Sequence, residues 1–261
     1  MFPASLSQYD RIYLHDFEFR QPAGERIQDV WCLHAYEWRT GETIALWHDE
    51  LRPYKPPYPI NETTLFVSHY SSAEAACHLA LHWPLGATVD FYVEFRARTN
   101  GLKLPCGRSL LGALAFFGLP SMFDALQKDA MHALAQRGGP HSAQEREELM
   151  SGCRKDVEAL KVLFPVMAPH LDLPRALLRG KFMCCAAKIE QAGIPINTRA
   201  LKIVNQNLPA LLDRLIERVD KNFGFYDKQT FKYDRFAPVG KRSWRTGFLA
   251  ANKDGSVIYH R

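Results

Sequence analysis

Two acidic residues, Asp16 and Glu18, stand two positions apart at the end of the apolar run "RIYLHDFEFR" (residues 11–20). In a β-strand side chains alternate between the two faces, so both carboxylates point one way, with Phe17 and Phe19 on the other side. Two like charges this close repel, and burying them is costly unless a positive charge lies between them. The pattern has two interpretations: a strand end running into a solvated loop, or a site for a divalent cation.

A third carboxylate, Asp156, lies in the segment "EREELMSGCRKDVEALKVLF" (residues 145–164). The apolar residues of this segment recur every three or four positions, which predicts a helix with one buried stripe. Asp156 lies beside that stripe, next to Val157. Surface helices carry many acidic residues, so this one indicates a site only together with Asp16 and Glu18.

The bulk composition is that of an ordinary globular protein, with 261 residues of which 47% are hydrophobic and 23% charged. The net charge of +5 permits an anionic partner without demanding one. The six cysteines form no Cys-x-x-Cys pair, which favours reduced thiols over a disulfide framework or a cysteine metal site. With no signal peptide and no apolar run near the ~20 residues that span a bilayer, we expect a soluble cytoplasmic protein without membrane contact.

The elements that must position these carboxylates follow from hydrophobic periodicity. Alternation predicts strands at residues 11–19, 29–38, 43–49 and 64–70, and a fifth that starts at 87 and turns helical near Asp90. Helical spacing then predicts helices around 108–117, 121–136, 143–168 and 174–192. Strands followed by helices favour an α/β fold with a mixed central sheet covered by helices.

On these residues the sequence resembles a known group of enzymes, the DEDD-type 3′–5′ exonucleases. The shared features are an Asp-x-Glu on the first strand, a carboxylate on the helix after the fourth strand, and a late-helix "CxxDVxAL". Within that group it most resembles the proofreading domain of phage-type family A DNA polymerases, through "SHYSSAEAACHLALHWP" and "DFYVEFRARTNG". The resemblance covers residues 10–170, and "KFMCCAAKIEQAGIPINTRALKIVN" is more weakly similar to the segment leading into the thumb of such polymerases.

The resemblance implies a fold and a division of the chain. The family fold is ribonuclease H-like, a mixed five-stranded sheet flanked by helices, followed here by a helical C-terminal segment. An exonuclease-like domain would span residues 1–170, a segment like the start of a thumb residues 171–236, and a basic tail of unknown role residues 237–261.

The resemblance also implies a metal site. Asp16, Glu18, Glu74 and Asp156 match the carboxylates that hold two Mg²⁺ or Mn²⁺ ions in the family, and Asp90 matches a residue that caps a helix. Phosphodiester hydrolysis by two divalent ions about 3.5–4 Å apart explains why hard oxygen ligands are paired on one strand. The implied activity is removal of nucleotides from DNA 3′ ends, with RNA as a further substrate, in the cytoplasm of a bacterial or phage-infected cell.

Basic residues close to Asp90 suit a phosphate backbone, and neighbouring aromatic rings suit stacking of an unpaired 3′ end. The candidates for substrate binding are Arg96, Arg98, Lys103 and Arg108. An ordinary solvated face of the protein is the alternative interpretation.

The sequence departs from the family pattern where the attacking water is oriented. The family has a tyrosine four residues before its last aspartate or a histidine five before it, and this chain has Gly152 and Ser151 there. Glycine in a helix costs about 1 kcal/mol, so Gly152 needs a structural reason. Candidate substitutes are His141, His69, Tyr70, or no side chain at all. The rival hypothesis is a weak or inert exonuclease-like module that binds nucleic acid or scaffolds an assembly.

Overall fold

The computed structural model describes residues 6–121, 125–236, 249–251 and 257–259. The chain forms two compact units, Met1–Ile194 and Pro195–Arg261. Each unit is considered by itself.

The first unit is built on a five-stranded sheet. Its strands are β1 (Arg11–Arg20), β2 (Asp29–Glu37), β3 (Thr43–Trp47), β4 (Thr64–Ser68) and β5 (Ala87–Asp90). The spatial order is β3-β2-β1-β4-β5. β1, β2 and β3 pair antiparallel, whereas β4 and β5 join parallel on the other side of β1. The predicted mixed five-stranded sheet is confirmed, and the site-bearing strand β1 is its centre.

In the first unit one helix lies between β4 and β5 along the chain, and the other described helices come after β5. The helices are α1 (Ser72–Ala80), α2 (Phe91–Arg98), α3 (Leu110–Phe116), α4 (Ala125–Arg137), α5 (Ala143–Met167) and α6 (Leu173–Ala192). The start of α5 is fixed by a capping box, in which Ser142 and Glu145 satisfy each other's backbone N–H groups. α6 begins at the cap Asp172, whose carboxylate accepts from the Arg175 N–H.

The two faces of β1 pack into different hydrophobic clusters. Ile12 and Leu14 pack against α5, in a cluster that includes Leu160. Tyr13 and Phe17 pack on the opposite side in an aromatic cluster. Because side chains alternate along a strand, Asp16 and Glu18 fall on the face that α5 covers.

α6 packs tightly against the edge strand β5. A Cβ on Gly180 would lie 1.9 Å from the carbonyl oxygen of Thr88, so only glycine permits this approach. On the same helix, Arg179 forms a two-pronged ion pair with the buried Glu94 of α2, at 2.6 and 2.7 Å. α6 belongs to the first compact unit, which ends at Ile194, whereas the predicted exonuclease-like domain ends at residue 170, before this helix.

The second unit is mainly one long helix. Its elements are α7 (Thr198–Phe223), β6 (Tyr226–Asp227), β7 (Thr230–Phe231), α8 (Tyr233–Phe236), β8 (Leu249–Ala251) and β9 (Val257–Tyr259). α7 ends at Gly224, which takes a left-handed conformation (φ 68°) that glycine adopts without strain. The predicted basic tail, residues 237–261, lies largely outside the described residues. None of the helices in the described part of the chain combines the length and the apolarity needed to cross a membrane.

Candidate metal centre

Three of the four predicted metal ligands come together between β1 and α5. Oxygen atoms of Asp16, Glu18 and Asp156 all lie within 4.8 Å of one another. Glu18 and Asp156 are buried, with 8% and 5% of their surface exposed. Three carboxylates at such distances form a strongly negative, poorly hydrated cluster.

The backbone geometry explains how residues 140 positions apart in the chain meet. Asp16 pairs with His34, and the register between β1 and β2 shifts just after Glu18. α5 lies across this face of the sheet, and the Cys153 thiol donates to the carbonyl oxygen of Asp16 at 3.1 Å. Asp156 follows Cys153 by one helical turn and therefore points at the same spot.

The carboxylates of this cluster are more stable when they bind protons or cations than when they are ionised and uncompensated. Burial raises the pKa of Asp16 well above its usual range, and the Asp156 charge raises it further. Burial and the Asp16 charge do the same to the pKa of Glu18. Asp16 also has a buried Oδ2 without a hydrogen-bond partner among the described residues. An orphaned carboxylate oxygen within an all-oxygen donor set fits a hard divalent cation such as Mg²⁺ or Mn²⁺.

A lysine from α4 enters this cluster, and the sequence analysis missed it. The Lys128 Nζ lies 2.6 Å from Oδ1 of Asp156. Burial lowers the pKa of Lys128, but Asp156, Asp16 and Glu18 outweigh burial, and the net shift is upward. No spacing rule links residue 128 to residue 156, so only the packing of α4 on α5 reveals this contact.

Gly152 has the structural reason that its place in a helix requires. A Cβ at this position would lie 1.5 Å from the sulfur of Met131 on α4. The α4 side chain therefore occupies the space into which a side chain at position 152 would project. Met131 therefore fills the space at one of the two positions where the resemblance implies a residue that orients water.

The fourth predicted ligand, Glu74, is not part of this group of three. It lies buried in the first turn of α1, with 4% of its surface exposed. Burial, followed by the Asp16 charge, raises its pKa well above the usual range, while the Ser68 hydroxyl opposes the shift. Its Oε2 has no hydrogen-bond partner within the described part of the chain. Together with His15 it lines a cavity of about 10 Å³. Its role as a ligand stays a prediction.

Asp90 caps a helix, as the resemblance implies. Its carboxylate accepts from the N–H groups of Tyr92 and Val93 at the start of α2. It also accepts from the N–H groups of Tyr70 and Ser71 just before α1. This buried aspartate therefore ties together the starts of two helices and holds Tyr70 at a left-handed φ of 79°.

The predicted substrate-binding residues divide into two groups. Arg96 stacks over Tyr92, whose ring meets the exposed Tyr70 ring at 5.2 Å and the His69 ring at 5.4 Å. The backbone of Arg108 hydrogen-bonds the side chain of His69. The other two, Arg98 and Lys103, are exposed, and Arg98 stacks on Phe117 instead.

His69 contacts this aromatic edge through the ring of Tyr92. Burial, and next the nearby Lys128 ammonium, lower its pKa to about 4, so the ring is neutral. Among the other proposed substitutes for a water-orienting residue, His141 packs between Trp31 and Trp47 at 4.7 and 5.8 Å. Tyr70 is half exposed.

Comparison with known proteins shows the fold. No protein-family model matches the sequence, and no curated protein sequence matches it. Trypanosoma brucei RNase D, solved in complex with RNA U12, shares 15% identity at a TM-score of 0.52, over 71% of this chain and 65% of that one. A second structure of the same RNase D gives 15% and 0.52, over 71% and 67%. A structure described as the apo form of the nuclease gives 11% identity and a TM-score of 0.48, over 74% of this chain and 90% of that one.

At such identities the likeness concerns the fold alone. The chain spans just under two thirds of the RNA-bound RNase D. The α/β fold, a mixed five-stranded sheet flanked by helices with a helical C-terminal part, is consistent with the ribonuclease H-like fold that the sequence resemblance implies. The likeness lends no support to the narrower resemblance with phage-type polymerases.

Proposed function

We propose that this protein is a metal-dependent 3′–5′ exonuclease that removes nucleotides from DNA 3′ ends. The observation that carries the proposal is the group of three carboxylates, Asp16, Glu18 and Asp156, within 4.8 Å of one another. Their burial and the unpartnered Oδ2 of Asp16 favour the binding of positive charge. The single ammonium of Lys128 does not balance three carboxylates.

Asp16, Glu18 and Asp156 would hold the metal, and Glu74 is the fourth carboxylate of the proposed set. Two Mg²⁺ or Mn²⁺ ions would neutralise the phosphate and lower the pKa of an attacking water. In the overall reaction water adds to phosphorus and the bond from phosphorus to the 3′-oxygen breaks. The products are a nucleoside 5′-monophosphate and a shortened strand whose 3′-oxygen keeps a proton from the water.

The nucleic-acid strand would lie along the edge formed by Tyr70, Tyr92 and Arg96. Exposed aromatic rings stack on unpaired bases, and a guanidinium binds the backbone. Arg98 at the end of α2 would add phosphate contacts, as would Lys103 and Arg108 in the loop that follows. The sequence resemblance favours DNA, and the fold likeness to an RNase D solved with RNA makes RNA the necessary comparison substrate.

A second candidate function is an inert module that binds nucleic acid without cutting it. Gly152 favours this rival, because no tyrosine or histidine stands one turn before Asp156. The carboxylate cluster favours the enzyme, since an inert module gains nothing from burying three acids together.

Degradation of 5′-labelled substrates by the full chain separates these functions. We would compare single-stranded DNA, 3′-recessed DNA and single-stranded RNA in Mg²⁺ or Mn²⁺, beside the double variant Asp16→Ala/Glu18→Ala. The proposal expects shortening from the 3′ end, faster on DNA, that the double variant lacks. Binding without shortening in either metal would establish the inert module, and faster shortening of RNA would replace DNA as the substrate.

A further inference from the structure

Lys128 reaches Asp156 from outside the buried cluster. The Lys128 side chain is 36% exposed, whereas that of Asp156 is 7% exposed, and the two groups are 2.6 Å apart. Lys128 is therefore the more exposed partner of this ion pair.

The packing of α4 on α5 explains why a lysine is found there. Met131 occupies the space beside Gly152, and Lys128 precedes Met131 by three residues on the same face of α4. Asp156 follows Gly152 by four residues on the same face of α5. The contact that excludes a side chain at position 152 thus brings Lys128 to the aspartate one turn further on.

We propose that Lys128 is a catalytic residue: its ammonium contacts the scissile phosphate, and Asp156 holds it ready when no metal is bound. This inference rests on the proposed exonuclease function. A lysine ammonium is a compact cation with three donors that binds phosphate oxygens as a point charge. With divalent ions held by the carboxylates, Asp156 would no longer retain the Lys128 ammonium, and the flexible lysine stem would allow it to reach the phosphate.

The activity test compares variants of two lysines. Lys128→Met keeps the apolar stem and removes the charge, and we expect kcat on single-stranded DNA to fall about a hundredfold. Lys128→Arg keeps a charge and should retain activity within about tenfold of the wild type. Lys155→Met is the matched control, since it removes the same charge next to Asp156 in sequence but from a side chain with no ion pair among the described residues. It should leave kcat within about twofold.

Two binding measurements separate this role from a structural one. Without the competing ammonium, Lys128→Met should bind Mn²⁺ about tenfold more tightly, as measured from free Mn²⁺ by electron paramagnetic resonance. In saturating Mn²⁺ it should bind thymidine 5′-monophosphate at least about tenfold more weakly, by calorimetry, and thymidine unchanged. A variant that is merely misfolded would bind Mn²⁺, thymidine 5′-monophosphate and thymidine all more weakly.

The outcomes distinguish this inference from the proposed function. Tighter Mn²⁺, weaker thymidine monophosphate and lower kcat in Lys128→Met alone would support it. If the wild type shortens DNA and Lys128→Met does so at the same rate, or binds the monophosphate normally, the role of Lys128 is overturned and the exonuclease stands. If the wild type shortens no substrate in either metal, both proposals are overturned.

Discussion

The two faces of β1 bury ionisable groups in opposite ways. On the acidic face, Asp16 and Glu18 share a cluster with Asp156, and Lys128 supplies one cation. On the histidine face, His15 packs among aromatic rings, 5.2 Å from that of Phe66.

The difference lies in how each face avoids buried charge. A histidine becomes neutral by losing its proton, and His78 on that face then pairs both ring nitrogens, with the Tyr58 hydroxyl at 2.8 Å and the Pro84 carbonyl at 3.0 Å. Carboxylates become neutral only by taking up protons, or are compensated by cations. The acidic face therefore favours bound positive charge, whereas the histidine face is packed mainly with aromatic rings.

The largest expected effect separates the faces by activity. Asp16→Asn should lower exonuclease activity more than about a hundredfold. Mutating a residue that only hydrogen-bonds a metal ligand already costs about 10–100-fold, and Asp16 is proposed as a ligand itself. It should also raise the thermal midpoint of the metal-free protein at neutral pH, because it removes a charge that burial disfavours. His15→Phe, the matched change one residue away on the other face, should keep activity within about twofold. Equal losses in both variants would contradict the comparison.

Metal should stabilise the protein through the acidic face only. At a hundred times its dissociation constant, Mn²⁺ should raise the free energy of unfolding by about 2.7 kcal/mol. Thermal unfolding with and without Mn²⁺ should show this gain in the wild type and in His15→Phe, but not in Asp16→Ala. A gain that persists in Asp16→Ala would mean that the metal binds elsewhere.

A smaller effect tests whether α4 supplies the acidic face with its cation by packing on Gly152. Gly152→Ala gains about 1 kcal/mol of helix stability but forces overpacking against Met131, which costs about 1–3 kcal/mol. In the Met131→Ala background the clash is gone, so Gly152→Ala should become stabilising by about 1 kcal/mol. Urea unfolding of the four proteins of this double-mutant cycle measures the coupling. Stabilisation by Gly152→Ala in both backgrounds would show that α4 does not press on this position.

The smallest effect is the pH dependence that the histidine face predicts. Burial lowers the pKa of His15 well below its usual range, and lowers that of His78 to about 4. The unfolded chain takes up protons first on acidification, so this stability is complete above about pH 6.5 and is lost as the pH falls towards 4. The acidic face has the opposite sign, since the raised carboxyl pKa values of Asp16 and Glu18 favour the metal-free fold at low pH.

Urea unfolding at pH 7.5 and 5.5 isolates the histidine contribution. Between these values the wild type should lose about 1 kcal/mol more stability than His15→Phe, because the unfolded histidine takes up a proton near pH 6.5 and the buried His15 ring does not. Equal losses would indicate that the folded His15 ring accepts a proton.

Local patterns predicted most of the fold. The alternation in residues 11–20 and the helical spacing around Asp156 each depend on a short stretch of chain, and the structure confirms both elements. The expectation that "ATVDFYVEFR" changes from strand to helix at Asp90 is also confirmed, because a capping aspartate acts on N–H groups two and three residues later. The chain organisation was harder to predict, since α6 joins the first unit through Gly180, whose contact with Thr88 has no local signature.

The sequence by itself determined the acidic residue types, their shared strand face and the helix that carries Asp156. It indicated a cation site through Asp16 and Glu18 because the two-residue period of a strand is local. Only the tertiary structure decided that Asp156 completes the group, that Glu74 stands outside it, and that Lys128 takes part. Contacts between distant segments depend on how helices pack. The sequence does not explain Gly152, because the Met131 side chain that fills the adjacent space comes from another helix.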